Sequence, residues 1–271
     1  MNSISLAEPI KAIETTSWTS EKETRHLTEV HKESSAQHNE NRKIQLIHPC
    51  SVTSRASHSG AILPPLSLAY LSATLREAGY PVSIIEGQGG GVLNIRQSKC
   101  GLYNLQGLTT EEILDQIEPE THIVGISLLF SYEWLIQREL IQAIRARYPD
   151  IKIIVGGEHP TALPEYVLRD CPEIDFVVLG EGEFTLLELV SGIFYSKEFL
   201  SIPGLAYLDD QGNFISNGLS KRIMHIDDIP RPAWDLCNVE NYFQPNWSMG
   251  ISFGSNMPIN ATRGCPYQCT F

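Results

Sequence analysis

The stretch IKIIVGGEHPTALPEYVLRDCPEIDFVVLGEGEFTLLELV, Ile151 to Val190, states one pattern twice. An apolar run of strand length, IKIIVGG, precedes the short helical segment TALPEYVLRDCP. The run IDFVVLGEG then precedes EFTLLELVSGIFY, which has helical character. Both runs are apolar at nearly every position rather than at alternate ones. That is the mark of strands in a parallel sheet covered on both faces. Both end in paired glycines, Gly156 with Gly157 and Gly180 with Gly182.

The same alternation extends upstream. KIQLIH (Lys43 to His48) reads as the first strand. In PPLSLAYLSATLREAGY, Leu68, Leu71 and Leu75 share a helical face and Gly79 is a stop signal. PVSIIEG and HIVGISLLF read as strands two and three, and YEWLIQRELIQAIRARYP as a helix ended by Pro149. Strands alternating with helices predict an α/β, Rossmann-like (flavodoxin-like) doubly wound parallel sheet with right-handed crossovers over residues 43–195. The long connection Gly87 to Leu108 contains GQGGG, which matches neither the P-loop nor the dinucleotide fingerprint and reads as a flexible loop. Thr109 to Glu112 then reads as a capping box opening a short helix to Ile117.

Outside this block the style changes. Residues 1–42 are polar, rich in Ser, Thr, Glu and His, and too poor in apolar surface to offset the entropy of ordering; they read as a disordered tail. Residues 196–257 read as a hairpin around Asp209 to Gly212, then a linker carrying Pro230 and Pro232 that crosses between domains. Residues 258–271, PINATRGCPYQCTF, begin something new: a short strand, a turn and two cysteines.

The net charge of -12, with no clustered Lys and Arg, argues against a nucleic-acid partner. Six scattered cysteines do not make a disulfide framework. The chain shows neither a signal-peptide pattern nor about 18 consecutive apolar residues. A reducing, cytoplasmic location with small-molecule partners is the expectation.

In open parallel sheets ligands sit beyond the carboxyl ends of the strands. There the glycine pairs either let a bulky ligand approach the backbone or simply form tight turns. His159 and Thr161 follow on the same side; His159 either touches ligand or caps the next helix. Glu181 and Glu183 resemble paired carboxylates, yet at a helix start they also complement the dipole. Cys265-x-x-x-Cys269 lacks the usual zinc spacing. It suits a three-thiolate loop around a 4Fe-4S cluster with one iron open, whose third ligand would follow Phe271.

The segment RGCPYQCTF resembles the opening of the radical S-adenosylmethionine motif, Cys-x-x-x-Cys-x-x-Cys. Upstream, PPLSLAYLSATLREAGYPVSIIE, VGGEHPTALPE, FVVLGEGEFTLLELV and IDDIPRPAWDL resemble the cobalamin-binding module that precedes the radical SAM barrel in one large group of enzymes. The resemblance covers residues 43 to 271. It implies a Rossmann-like domain holding cobalamin against the mouth of a TIM-like barrel, whose first strand would lie in 258–271. It also implies a cluster that reduces S-adenosylmethionine to a 5'-deoxyadenosyl radical, and methylcobalamin as methyl donor in a transferase. Carried onto this chain, Cys265 and Cys269 would be cluster ligands, and Ser127, Gly156, Gly157, His159, Thr161, Gly180 and Gly182 would face the corrin or its tail.

Two departures limit the transfer. The third cysteine and the barrel are missing, so the chain is expected to be a fragment, a truncated product or a cobalamin-binding remnant. The Asp-x-His-x-x-Gly motif of some cobalamin domains is absent too; His58-Ser59-Gly60 has the wrong spacing and no Asp, so no lower axial histidine is expected. The competing readings are a non-catalytic cobalamin-binding module and a flavodoxin-like nucleotide-binding domain with incidental cysteines.

Overall fold

The computed structural model describes residues 41–55, 62–195, 201–243 and 255–264. The expected tail falls outside them except for its last two residues, and Cys265, Cys269 and His58 to Gly60 fall outside as well. In chain order the elements are β1 (Lys43–His48), β2 (Ser51–Ser54), α1 (Leu66–Glu77), β3 (Val82–Glu86), β4 (Ile95–Gln97), β5 (Tyr103–Gln106), α2 (Thr110–Leu114) and β6 (Thr121–Ser127). Next come α3 (Trp134–Arg147), β7 (Lys152–Gly156), α4 (Glu158–Ala162), α5 (Pro164–Asp170), β8 (Phe176–Val178), α6 (Gly182–Tyr195), β9 (Leu205–Leu208) and β10 (Phe214–Ser216).

The central sheet runs β10-β9-β8-β7-β6-β1-β3, and its β3, β1, β6, β7 and β8 pairs are parallel. Side chains alternate across the pleat. Ile47, Val124, Ile126, Ile153, Val155 and Val177 therefore pack on one face against α3 and α5. Ile44, Leu46, Ile123, Ile154 and Val178 pack on the other face against α1 and α6. Both faces being covered explains why the strands are apolar throughout. Helix α2 opens as expected: Glu112 N–H donates to the Thr109 hydroxyl at 3.2 Å, and Thr109 N–H donates to the Glu112 carboxylate at 2.8 Å. It reaches only Leu114 before turning through Ile117.

Several boundaries differ from the sequence reading. The third strand stops at Ser127 and not Phe130, because its neighbour β7 ends at Gly156. The connection read as a flexible loop folds: Gly89–Gly91 make a 3-10 turn, and β4 and β5 join β2 in a second, antiparallel sheet ordered β2-β5-β4. The β9–β10 hairpin is an antiparallel extension of the central sheet through β8. The segment read as a linker is strapped to the domain. Ala233 N–H donates to Ala69 O at 2.9 Å, Asn241 to Gly89 O at 2.9 Å, and the Tyr242 hydroxyl to buried Glu86 at 2.6 Å. No strand forms over 255–264. A strand needs a neighbour to satisfy its backbone groups, and among the described residues no strand pairs with this segment. Among the described residues no helix is long and apolar enough to cross a membrane.

Candidate functional site

The large parallel strands have the order two-one-three-four-five, so the connections reverse direction between β1 and β6. A crevice opens at such a switch point, beyond the strands' carboxyl ends. Ser127 of β6 pairs with Gly156 of β7, and Gly156 with Val178 of β8, so three strand ends stand abreast. Leu128 N–H donates to Gly156 O at 2.8 Å and closes the end of the β6–β7 ladder.

The residues singled out from the sequence separate into two groups. Ser127, Gly156, Gly157 and Gly180 lie along this edge. Gly180 has φ of +74° and its N–H donates to the Thr161 hydroxyl at 3.1 Å, so Thr161 braces the loop after β8. Gly182 opens α6 where a Cβ would lie 3.3 Å from Leu71 of α1, so its smallness serves helix packing. His159 is only 3% exposed and caps no helix. Its Nδ1 lies 2.9 Å from the Ser131 hydroxyl and its ring centroid 5.2 Å from that of Trp134.

The edge itself is apolar and open. Leu129 and Phe130, just past β6, are 48% and 45% exposed. Leu163, two residues beyond Thr161, is 47% exposed; Leu219, beside Gly180, is 64% exposed. Large apolar side chains gathered at one rim mark a binding surface. Burial disfavours the charged forms of three groups beneath. Burial lowers the His48 imidazole to about 4, lowers that of His159, and raises the Cys50 thiol despite nearby Arg96. Exposed apolar side chains beside glycine-lined strand ends fit a corrinoid, which offers a broad ring and peripheral amides. The sequence reading missed Leu129 and Phe130 as site residues. Their signal was an apolar run that outlasts its strand partner.

The arm leading to the cysteines returns to this edge. Arg263 Nη2 lies 2.7 Å from Glu183 Oε1, and Nη1 lies 3.7 Å from Glu181 Oε2. The guanidinium sits 5.6 Å from the Tyr70 ring centroid. Glu181 also accepts from Ile223 N–H at 2.7 Å. The paired carboxylates of GEGE thus anchor a cation and a backbone amide. Trypsin must draw Arg263 into its own acidic pocket, so the clasp competes with the protease. Replacing both carboxylates, Glu181→Gln with Glu183→Gln, is expected to speed cleavage after Arg263 by about tenfold, for ~1.4 kcal/mol of lost restraint. Mass spectrometry of timed digests reads the rate; an unchanged rate would show that these carboxylates do not hold the arm. Cys265 and Cys269 lie outside the described residues. Among the described residues no three or more His, Cys, Asp or Glu side chains converge as metal ligands would.

Comparison with known proteins agrees with this fold. The chain is 32% identical over 231 residues to "Uncharacterized methyltransferase PH0819" of Pyrococcus horikoshii, covering 84% of this chain and 44% of that protein. It is 26% identical over 212 residues to an anaerobic magnesium-protoporphyrin IX monomethyl ester cyclase of Synechocystis, covering 77% and 38%. The chain therefore spans less than half the length of these curated relatives. Its fold is similar to that of the cobalamin-dependent S-adenosylmethionine radical enzyme OxsB, solved with aqua-cobalamin and S-adenosylmethionine bound. The TM-score is 0.56 at 22% identity, over 74% of this chain and 25% of that one. The family model of the B12 binding domain matches residues 53–190, just over half of the sequence. With this match over its parallel-sheet domain, the chain belongs to the B12-binding domain family.

Proposed function

We propose that this chain holds cobalamin at the carboxyl edge of its parallel sheet as the amino-terminal part of a methyltransferase-like radical S-adenosylmethionine enzyme. The observation that carries the reading is the exposed apolar shelf of Leu129, Phe130, Leu163 and Leu219 at the switch-point edge of a B12-binding domain. When bound, cobalamin supplies a transferable methyl group, and a 4Fe-4S cluster with S-adenosylmethionine supplies one-electron reductive chemistry. The chain's own residues do the rest. Ser127, Gly156, Gly157 and Gly180 present backbone to the ring or its tail, while Thr161 and Gly182 fix the loop that carries Gly180. His159 lies beneath, and its enclosed imidazole is not offered as a lower axial ligand. Cys265 and Cys269 are the cluster ligands that this chain contributes. Arg263, clasped by Glu181 and Glu183, starts the cysteine arm close to the corrin edge. The acidic net charge and absence of a basic cluster fit a cytoplasmic protein whose partners are small molecules rather than nucleic acid.

Titration with aquacobalamin, followed by the corrin absorption bands, tests the reading. The wild-type chain is expected to bind. Phe130→Glu is expected to weaken binding about tenfold, because burying half of a phenyl ring contributes roughly 1.5 kcal/mol and a carboxylate there must be desolvated. Binding of FMN or a nucleotide in place of any corrinoid would overturn it.

A further inference from the structure

Ser131 and His159 form a pair that the cobalamin reading does not yet use. Ser131 opens the 3-10 turn Ser131–Glu133 immediately after the exposed Leu129 and Phe130, and is itself exposed. His159 is buried beneath it and fixed from both ends. Its backbone N–H donates to Leu128 O at 3.3 Å, and its Nδ1 lies 2.9 Å from the Ser131 hydroxyl oxygen. The far nitrogen, Nε2, is enclosed with no hydrogen-bond partner. The adjacent Trp134 indole donates elsewhere, to Asp170 at 2.8 Å.

These contacts choose a tautomer. Burial lowers the basicity of His159, so the ring carries one proton. On Nε2 that proton would be a buried donor without an acceptor. On Nδ1 it is satisfied by Ser131. Orphaned buried N–H groups are rarer than under-used acceptors, so Nδ1 holds the proton and donates to the serine oxygen. The hydroxyl proton of Ser131 is then turned away from His159, towards the open edge.

We propose that Ser131 is a ligand-contacting residue of this edge, donating a hydrogen bond to an amide carbonyl on the corrin periphery, with His159 as the positioning residue that aims it. This rests on the cobalamin reading above. It adds a polar, direction-specific contact to a shelf that is otherwise apolar, which is how largely apolar pockets fix the orientation of a ligand.

The test is aquacobalamin affinity, read from the corrin absorption bands, in variants whose thermal melts match the wild type. Ser131→Ala is expected to bind about fivefold more weakly, the effect of one neutral hydrogen bond. His159→Asn, whose amide nitrogen reaches the position of Nδ1, is expected to bind like wild type. His159→Phe is expected to match Ser131→Ala, and the double variant to lose no more than either single one. Wild-type affinity in Ser131→Ala, or additive losses in the double variant, would overturn the proposal while leaving cobalamin binding intact. A wild-type chain that takes up no aquacobalamin would overturn the parent reading and this one with it.

Discussion

Replacing Gly157 with alanine is expected to lower the unfolding free energy by about 3 kcal/mol or more, whereas the same change at Gly156 costs about 1 kcal/mol or less. The two glycines are neighbours and look alike in the sequence. Gly157 has φ of +113° and ψ of -173°, a region that only glycine occupies without strain of about 1–3 kcal/mol. A Cβ there would also lie 2.5 Å from Leu128 O and 3.0 Å from Leu128 C. That carbonyl is backbone and cannot swing aside. It accepts the His159 N–H, and the Leu128 N–H is bonded to Gly156 O. Relief of the collision must pull the β6 end away from the β7–α4 turn. At Gly156 a Cβ would meet Val178 O at 3.4 Å, close to ordinary contact, and φ lies outside the left-handed region. Urea unfolding of both variants, followed by far-UV circular dichroism, gives the two costs. Equal costs would mean that the turn is not what requires glycine at 157. The aquacobalamin affinity of folded Gly156→Ala then isolates whether a ligand needs the remaining space.

What the sequence made legible is what repeats. Runs such as IKIIVGG are apolar on both faces because helices cover both faces of the sheet, so composition alone reveals the parallel layer. The Thr109–Glu112 box is local chemistry within four residues and was equally readable. Three features were not. Strands β4 and β5 are three and four residues long, and β4 is mostly exposed, so no period can emerge. The strap around Tyr242 depends on Glu86, 156 positions away, and a buried carboxylate at a strand end has no sequence signature. The site was visible as a location but not as a surface. HIVGISLLF looks like one long strand because Leu129 and Phe130 are as apolar as Ile123 and Ile126. Only the end of β7 at Gly156 shows that those two side chains project past the sheet into the open edge.

Glu133→Gln is expected to raise stability at pH 8 by roughly 3 kcal/mol and to remove the fall in stability that this one group contributes between about pH 4.5 and 7. Glu133 is 6% exposed and ends the turn that begins at Ser131. Its Oε1 accepts from Val52 N–H at 2.9 Å and its Oε2 from Gln137 Nε2 at 3.0 Å. Burial pushes its carboxyl from 4.5 up to about 7, against the opposing pull of those two hydrogen bonds. The folded chain therefore keeps a proton that the unfolded chain has released. Stability from this group is fully present below about 4.5, falls as pH rises, and is lost above about 7. At ~1.4 kcal/mol per pKa unit the total is roughly 3 kcal/mol. Glutamine keeps the neutral state at every pH. Its oxygen still accepts from Val52, and its amide group can donate to Gln137 Oε1, which has no partner now, once that side chain turns over. Urea unfolding at pH 4.5, 6 and 8 separates the outcomes. His48 and His159, both lowered by burial, contribute stability that rises with pH over part of the same range, so the comparison of the two profiles isolates Glu133. Identical slopes in wild type and Glu133→Gln would show that water reaches Glu133 and that the carboxylate ionises there freely. A fall in stability with pH that the wild type shows relative to Glu133→Gln would mean that ionisation of a buried carboxylate destabilises the packing between β2 and the loop carrying Phe130 and Ser131 near neutral pH. The corrin shelf and the second sheet would then loosen together.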